Sequence, residues 1–178
     1  MVTRVKNAPI GVVYENGEAI GLKAGKKDIR VPVVLANDSV AKVAPDVLTE
    51  QTLFSVTIPG GTMGPNGSLC VDHWFRFTGT GNKVIRIRLG GVLVHGFTAT
   101  TWVGCMSRTE IKNRNSQTSQ ICPIQTARVY YEQTSGAFVT TAINTAVDQI
   151  LTVNILKATA EDVASLESVR VEILPGFI

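Results

Sequence analysis

"TIPGGTMGPNGSLCVDHWFRF" occupies residues 57–77. Its first half places Gly60, Gly61, Gly64 and Gly67 between two apolar runs. Such a stretch either cradles a phosphate or turns the chain between two strands. A phosphate loop of the form G-x-x-x-x-G-K-[ST] wraps backbone N–H groups around the phosphates and neutralises them with a lysine. Counted from Gly61, the second glycine position holds Asn66, and Gly67 is followed by Ser68 with no lysine. The dinucleotide pattern G-x-G-x-x-G fails too, because Gly60 and Gly61 are adjacent. No helix follows whose N-terminus could meet an anion. Instead Leu69, Val71, His73, Phe75 and Phe77 alternate with Cys70, Asp72, Trp74 and Arg76. Period two is the mark of a strand with one face in a core. The glycines are therefore turn chemistry.

The same period recurs along the chain. "KVIRIRLGG", "QILTVNIL" and "SVRVEIL" each alternate apolar with polar residues. "GTGNK" (79–83) has the composition of a hairpin turn, and "TSGA" follows "ARVYYEQ" as another turn. "TAEDVASLES" has helical composition with Thr159 as a possible cap, but it runs straight into a strand pattern and reads as a loop or one short turn. "TEIKNRNSQTSQICP" is polar and reads as an exposed loop. These spacings predict an all-β fold, an antiparallel β-sandwich or barrel. The first fifty residues differ: short apolar runs give two or three short strands, and "KVAPDVLTEQ" gives a connector. The expected division is residues 1–49 as an N-terminal arm or small β subdomain and 50–178 as the sandwich.

Charged residues make up 17% of the 178 residues, below the usual share of roughly 25%. The net charge of +3 is unevenly spread. Residues 76–128 hold eight basic residues against Glu110 alone, whereas 129–178 hold two against six acids. Nucleic-acid binding calls for basic residues on one face with stacking aromatics among them. Here they are dispersed over several strands, with few aromatics between, and charge complementarity between subunits explains the split equally well. The partner expectation is thus other protein surfaces, with no direct nucleic acid and no membrane. No window approaches the roughly 18 apolar residues of a membrane span. The N-terminus, "MVTRVKNAPI", lacks the apolar core of a signal peptide. Three irregularly spaced cysteines, Cys70, Cys105 and Cys122, point to reduced thiols made in a cytoplasm.

Catalytic and metal chemistry find little support. Cys70 and His73 form C-x-x-H, but positions three apart on a strand face opposite sides, so His73 belongs to the core face. Cys105 with His95 as base has no signature, and a buried structural thiol is the better reading. Asp72 is the one acid in a strongly apolar strand; a second carboxylate would make it a glycosidase candidate, and pairing with a nearby arginine is the plainer reading. No catalytic residue, cofactor or metal ligand is assigned. Trp74 and Arg76, facing outward together, suggest either an interface or a second core layer. The interface candidates are Trp74, Arg76, Arg86, Arg88 and Arg30.

Residues 50–91, "EQTLFSVTIPGGTMGPNGSLCVDHWFRFTGTGNKVIRIRLGG", resemble a recurring module of tailed-bacteriophage virion proteins. "GPNGSL" paired with "IRIRLGG" is the most distinctive part. "NRNSQTSQ" and "TAVDQILTVNILKATAEDVASLESVRVEIL" resemble its closing polar loop and last two strands, so the likeness spans roughly residues 50–174. The strand "LCVDHWFRF" is richer in aromatics and cysteine than the pattern, and the first fifty residues lie outside it. The resemblance implies a jelly roll, commonly trimeric, found on capsid decoration (cement) proteins, head fibres and tail appendages, with no catalytic residues to carry over. It implies a non-enzymatic, homotrimeric decoration protein on the capsid surface, made in the host cytoplasm, with the major capsid protein as partner. The alternative is a tail-fibre or tailspike tip that recognises a host glycan through residues 108–125. A jelly-roll glycan hydrolase is the third reading, disfavoured by the absence of an acid cluster.

Overall fold

The computed structural model describes residues 10–15, 18–24, 27–123 and 138–176, with side chains for residues 31–122 and 138–176. "ARVYYEQ" and the "TSGA" turn fall outside the described residues. Every regular element described is a strand. β1 (Ile10–Glu15), β2 (Glu18–Ala24) and β3 (Lys27–Arg30) form a small antiparallel sheet of their own. The larger sheet runs β12 (Phe138–Thr141), β11 (Gln120–Pro123), β10 (Gly104–Asn113), β7 (Ser68–Phe77), β14 (Ala164–Leu174) and β4 (Val33–Asp38), with β5 (Lys42–Val43) also on β14. The second sheet runs β6 (Gln51–Ile58), β13 (Gln149–Lys157), β8 (Lys83–Leu89) and β9 (Val92–Ala99). Without the two strands added beyond β10, the orders 4-14-7-10 and 6-13-8-9 are those of a jelly roll, two Greek keys folded face to face. The all-β sandwich read from the sequence is therefore the fold. The expected boundary near Glu50 falls between β5 and β6, and β4, before it, pairs with β14.

The alternation builds the core. Leu69, Val71, His73, Phe75 and Phe77 of β7 are buried, as are Ile85, Ile87 and Leu89 of β8 and Leu151, Val153 and Ile155 of β13. A fully buried leucine or isoleucine contributes about 1.5–3 kcal/mol relative to exposure, so this interleaved layer is the main source of stability. His73 and His95 meet between the sheets with ring centroids 6.0 Å apart, and His73 stacks on Phe97.

Two sequence expectations change. "GTGNK" is no hairpin: β7 pairs with β10 and β14, whereas β8 pairs with β9 and β13, so the segment carries the chain across the sandwich. Gly79 at φ 79° makes the bend, and the buried Lys83 ammonium holds it by donating to the Gly79 carbonyl at 2.9 Å and pairing with Asp162 at 2.9 Å. The hairpin joins β8 to β9 instead, through Gly90 and Gly91, both at positive φ. The segment read as an exposed polar loop is largely strand, because Thr109 and Asn113 point inward while Lys112 points out. Of "TAEDVASLES", the first half forms the expected turn, whereas Ala164 onward is already β14.

The glycine stretch is itself a crossing between sheets. Gly61 and Gly64 adopt φ 77° and 65°, which side-chain-bearing residues avoid. Gly67 is required for contact: a Cβ there would lie 1.9 Å from the Met63 carbonyl oxygen. A buried amide network ties this loop to residues 113–120. Asn113 Nδ2 donates to the Gly64 carbonyl at 2.7 Å and to Thr145 Oγ1 at 2.9 Å. Gln120 Nε2 donates to Asn113 Oδ1 at 3.0 Å and to the Ile143 carbonyl at 3.0 Å, and Gln120 Oε1 accepts from the Ile143 N–H at 2.9 Å. The Ser116 N–H donates to the Pro65 carbonyl at 3.0 Å. Buried amides satisfied in this way fix one loop against the other.

Candidate functional site

The outward residues of β7 lie in the middle of the larger sheet, so their neighbours follow from register. Trp74 sits beside Met106 of β10, and Asp72 lies between Arg108 of β10 and Arg170 of β14. Arg170 in turn lies beside Asn37 of β4. Directly opposed side chains on one sheet face are about 4.5–5.5 Å apart at Cβ, so these residues touch or nearly touch. Together they line a depression of about 540 Å³. Trp74 is 52% exposed, so none of the described residues forms a second core layer over it.

Arg108 holds Asp72 in a two-pronged pair, Nε to Oδ1 at 2.7 Å and Nη2 to Oδ2 at 2.9 Å. The arginine partner expected for Asp72 is thus Arg108. Arg108 also approaches Glu172 at 3.8 Å, and Arg170 pairs with the other oxygen of Glu172. At the depression two guanidinium groups, Arg108 and Arg170, stand against two carboxylates, Asp72 and Glu172, and these four charges cancel. The bidentate geometry restrains both partners more than a single contact would.

The predicted interface residues separate. Trp74 and Arg76 share the outer face of the larger sheet, with Arg76 beyond the depression. Arg86 and Arg88 lie on the outer face of the second sheet, on the far side of the sandwich. Both bind Glu50, Arg86 through Nη1 and Arg88 through Nε at 3.2 Å, and Asn154 Nδ2 donates to the same carboxylate at 2.9 Å. Burial pushes the Glu50 carboxyl up, but the hydrogen bonds from Arg88, Arg86 and Asn154 outweigh it and hold the group below its ordinary range. Arg30 lies in β3 opposite Gly21, and its side chain lies outside those described.

The other candidates take structural positions. Burial pushes the Cys105 thiol up to about 11, with only partial relief from the Phe75 backbone. A thiolate nucleophile is disfavoured there. His73 has no hydrogen-bond partner for either ring nitrogen among the described residues. Burial, and then the neighbouring His95, lower it to about 3. Its face is the core face expected from the spacing, with Cys70 on the opposite one. Among the described residues no group of three or more His, Cys, Asp or Glu is placed to hold a metal.

No family model matches the chain, and no curated protein matches it. Among solved structures, dimeric latent PorU from Porphyromonas gingivalis matches 76% of this chain and 13% of its own length, at 11% identity and TM-score 0.37. A chain from the infectious bursal disease virus Gx strain matches 94% of this chain and 50% of its own, at 16% identity and TM-score 0.29. This chain therefore spans half or less of either matched chain. Both likenesses are weak, the second being to a chain from a virus, and neither assigns a role to any residue here.

The sequence alone does not bring Met106 to Trp74, or Arg108, Arg170 and Asn37 into the row of Asp72. The signal that finds them is strand register, which places residues far apart in sequence on one row of the sheet.

Proposed function

We propose that this chain is a non-enzymatic structural protein of a tailed-phage virion, a decoration protein that bridges and stabilises capsid subunits as a homotrimer. The observation that supports this reading is the outer edge of the larger sheet. There β4 and β5 run along β14, and Val33, Val34, Val40, Val43, Val47 and Leu48 are all exposed. Val40 is 71% exposed and Val43 63% exposed. Monomeric soluble proteins keep exposed apolar patches small, and an uncovered β edge invites pairing. A partner surface that covers this edge removes both liabilities. The resemblance of residues 50–174 to phage virion modules supplies the class of partner. Bridging contacts that exist only in the assembled shell stabilise it by mass action.

The test is a mass measurement followed by capsid binding. The isolated protein should run at three times its 19.1 kDa chain mass. Added to undecorated capsids, it should co-sediment with them and raise their melting temperature. Val40→Glu with Val43→Glu should abolish binding while the protein itself stays folded. A stable monomer, or labelled protein found only at the tail tip, would sink the proposal.

A further inference from the structure

We propose that the depression around Trp74 is a binding site for a neutral saccharide. The inference does not depend on where in a virion the chain sits. Four observations meet here. First, a depression of about 540 Å³ interrupts a sheet face. That lies within the roughly 300–1,000 Å³ of small-ligand sites. Second, a flat indole stands half exposed on a central strand, with Met106, 71% exposed, beside it. The apolar C–H face of a pyranose ring stacks on such a surface, and few other water-soluble neutral ligands present one.

Third, the next row of the sheet supplies polar groups matched to sugar hydroxyls. Asp72 accepts one hydrogen bond on each oxygen from Arg108. A carboxylate has about four lone-pair directions, so acceptor capacity remains for hydroxyl donors. Asn37 and Arg170 stand beside it as donors, and Asn37 also accepts. An acceptor and donors side by side engage two adjacent hydroxyls, which is the repeating feature of a sugar ring. All these groups stand on strands, and the Asp72–Arg108 pair is restrained before any ligand arrives.

Fourth, the charge is balanced. Arg108 and Arg170 are countered by Asp72 and Glu172. A phosphate, sulfate or acidic sugar needs unbalanced cations, as a nucleic acid does. A protein partner is disfavoured for a different reason: the centre of a protein interface is depleted of charge, and four charged groups stand in or beside this depression.

The probes are lactose, maltose, cellobiose and N-acetylglucosamine, titrated into the intact protein while tryptophan emission is followed. The chain has two tryptophans, so Trp102→Phe isolates the Trp74 signal. At least one probe should give a saturable change with a dissociation constant of about 1 mM or below. Trp74→Ala and Asp72→Asn, both outward-facing, should weaken it by about tenfold or more, with melting temperature as the check on folding. Saturable binding to none of the four overturns the proposal. So does binding confined to an acidic sugar such as 3′-sialyllactose, or binding undiminished in Trp74→Ala. Loss of self-association or capsid binding in Trp74→Ala, without sugar binding, assigns the face to a protein and also overturns it.

Discussion

Replacing His73 with leucine should leave the protein as stable as before at neutral pH and make it more tolerant of acid. At neutral pH two effects oppose each other. The variant loses a stacked contact with Phe97, worth about 0.5–1.5 kcal/mol. It also removes two ring nitrogens that have no partner among the described residues, and burying an unsatisfied polar group costs about 1–3 kcal/mol. Acid breaks this balance. The unfolded histidine takes a proton near its ordinary value of 6.5, but in the fold it does so only near about 3. Between those values the unfolded chain binds the proton and the folded chain does not. Stability is therefore fully present above the ordinary value and is lost as pH falls through this window. The loss is about 1.4 kcal/mol per pH unit, so about 2 kcal/mol by pH 5 and on the order of 4–5 kcal/mol by pH 3. For a domain of this size the pH 5 figure corresponds to roughly 4–8 °C in melting temperature. Urea unfolding followed by tryptophan fluorescence, at steps from pH 7 to pH 4, gives the difference between the two proteins. Ionised carboxylates such as Glu50 lose their own contribution at lower pH in both proteins, and the difference cancels it. A difference that does not change with pH would refute the reasoning, since it would show that His73 takes up its proton equally in both states.

Three further outcomes follow from other parts of the sandwich. Gly61→Ala should cost about 1–2 kcal/mol, because only the left-handed backbone opposes it, whereas Gly67→Ala should cost about 3 kcal/mol or more, because its Cβ meets a backbone oxygen; urea midpoints separate the two. Lys83→Met should destabilise by about 3–5 kcal/mol by leaving the buried Asp162 unpaired, and adding Asp162→Leu should recover much of that loss, as a double-mutant cycle would record. Cys122, fully buried and with its thiol pushed up to about 11 chiefly by that burial, should react with a disulfide reagent at pH 8 only as fast as the protein opens; prompt labelling of it would contradict its burial.

The strands with clean alternation, β7, β8, β13 and β14, were legible because one face of each is mostly apolar. β10 was hidden because two of its inward residues, Thr109 and Asn113, are polar, and only a network drawn from three other segments makes Asn113 acceptable inside. β9 was hidden by His95 and Gly96 in its middle and by the bulge that shifts its register. Lys83 and Lys157 are buried, and no local pattern marks them, because their partners Asp162 and Asp46 lie far along the chain or on another loop. The outward direction of Trp74 and the pairing of Asp72 with an arginine were legible from period two alone. Which arginine it was, and which strands flank Trp74, were not. The consecutive strands β7 and β8 belong to opposite sheets, so Arg86 and Arg88, close to Trp74 in sequence, end on the opposite side of the molecule.

The amide network between residues 59–67 and 113–120 also bears on how the molecule can be rebuilt. Transplanting the glycine loop alone into another sandwich would leave the Gly64 carbonyl without the Asn113 amide that donates to it here, and transplanting the polar loop alone would strand Gln120 beside the wrong backbone. Each transfer would bury amides with nothing to bond to. In a chimera the two loops, with the Ile143–Thr145 backbone between them, form one exchangeable part, and whatever is displayed at that end of the sandwich can be varied only outside it.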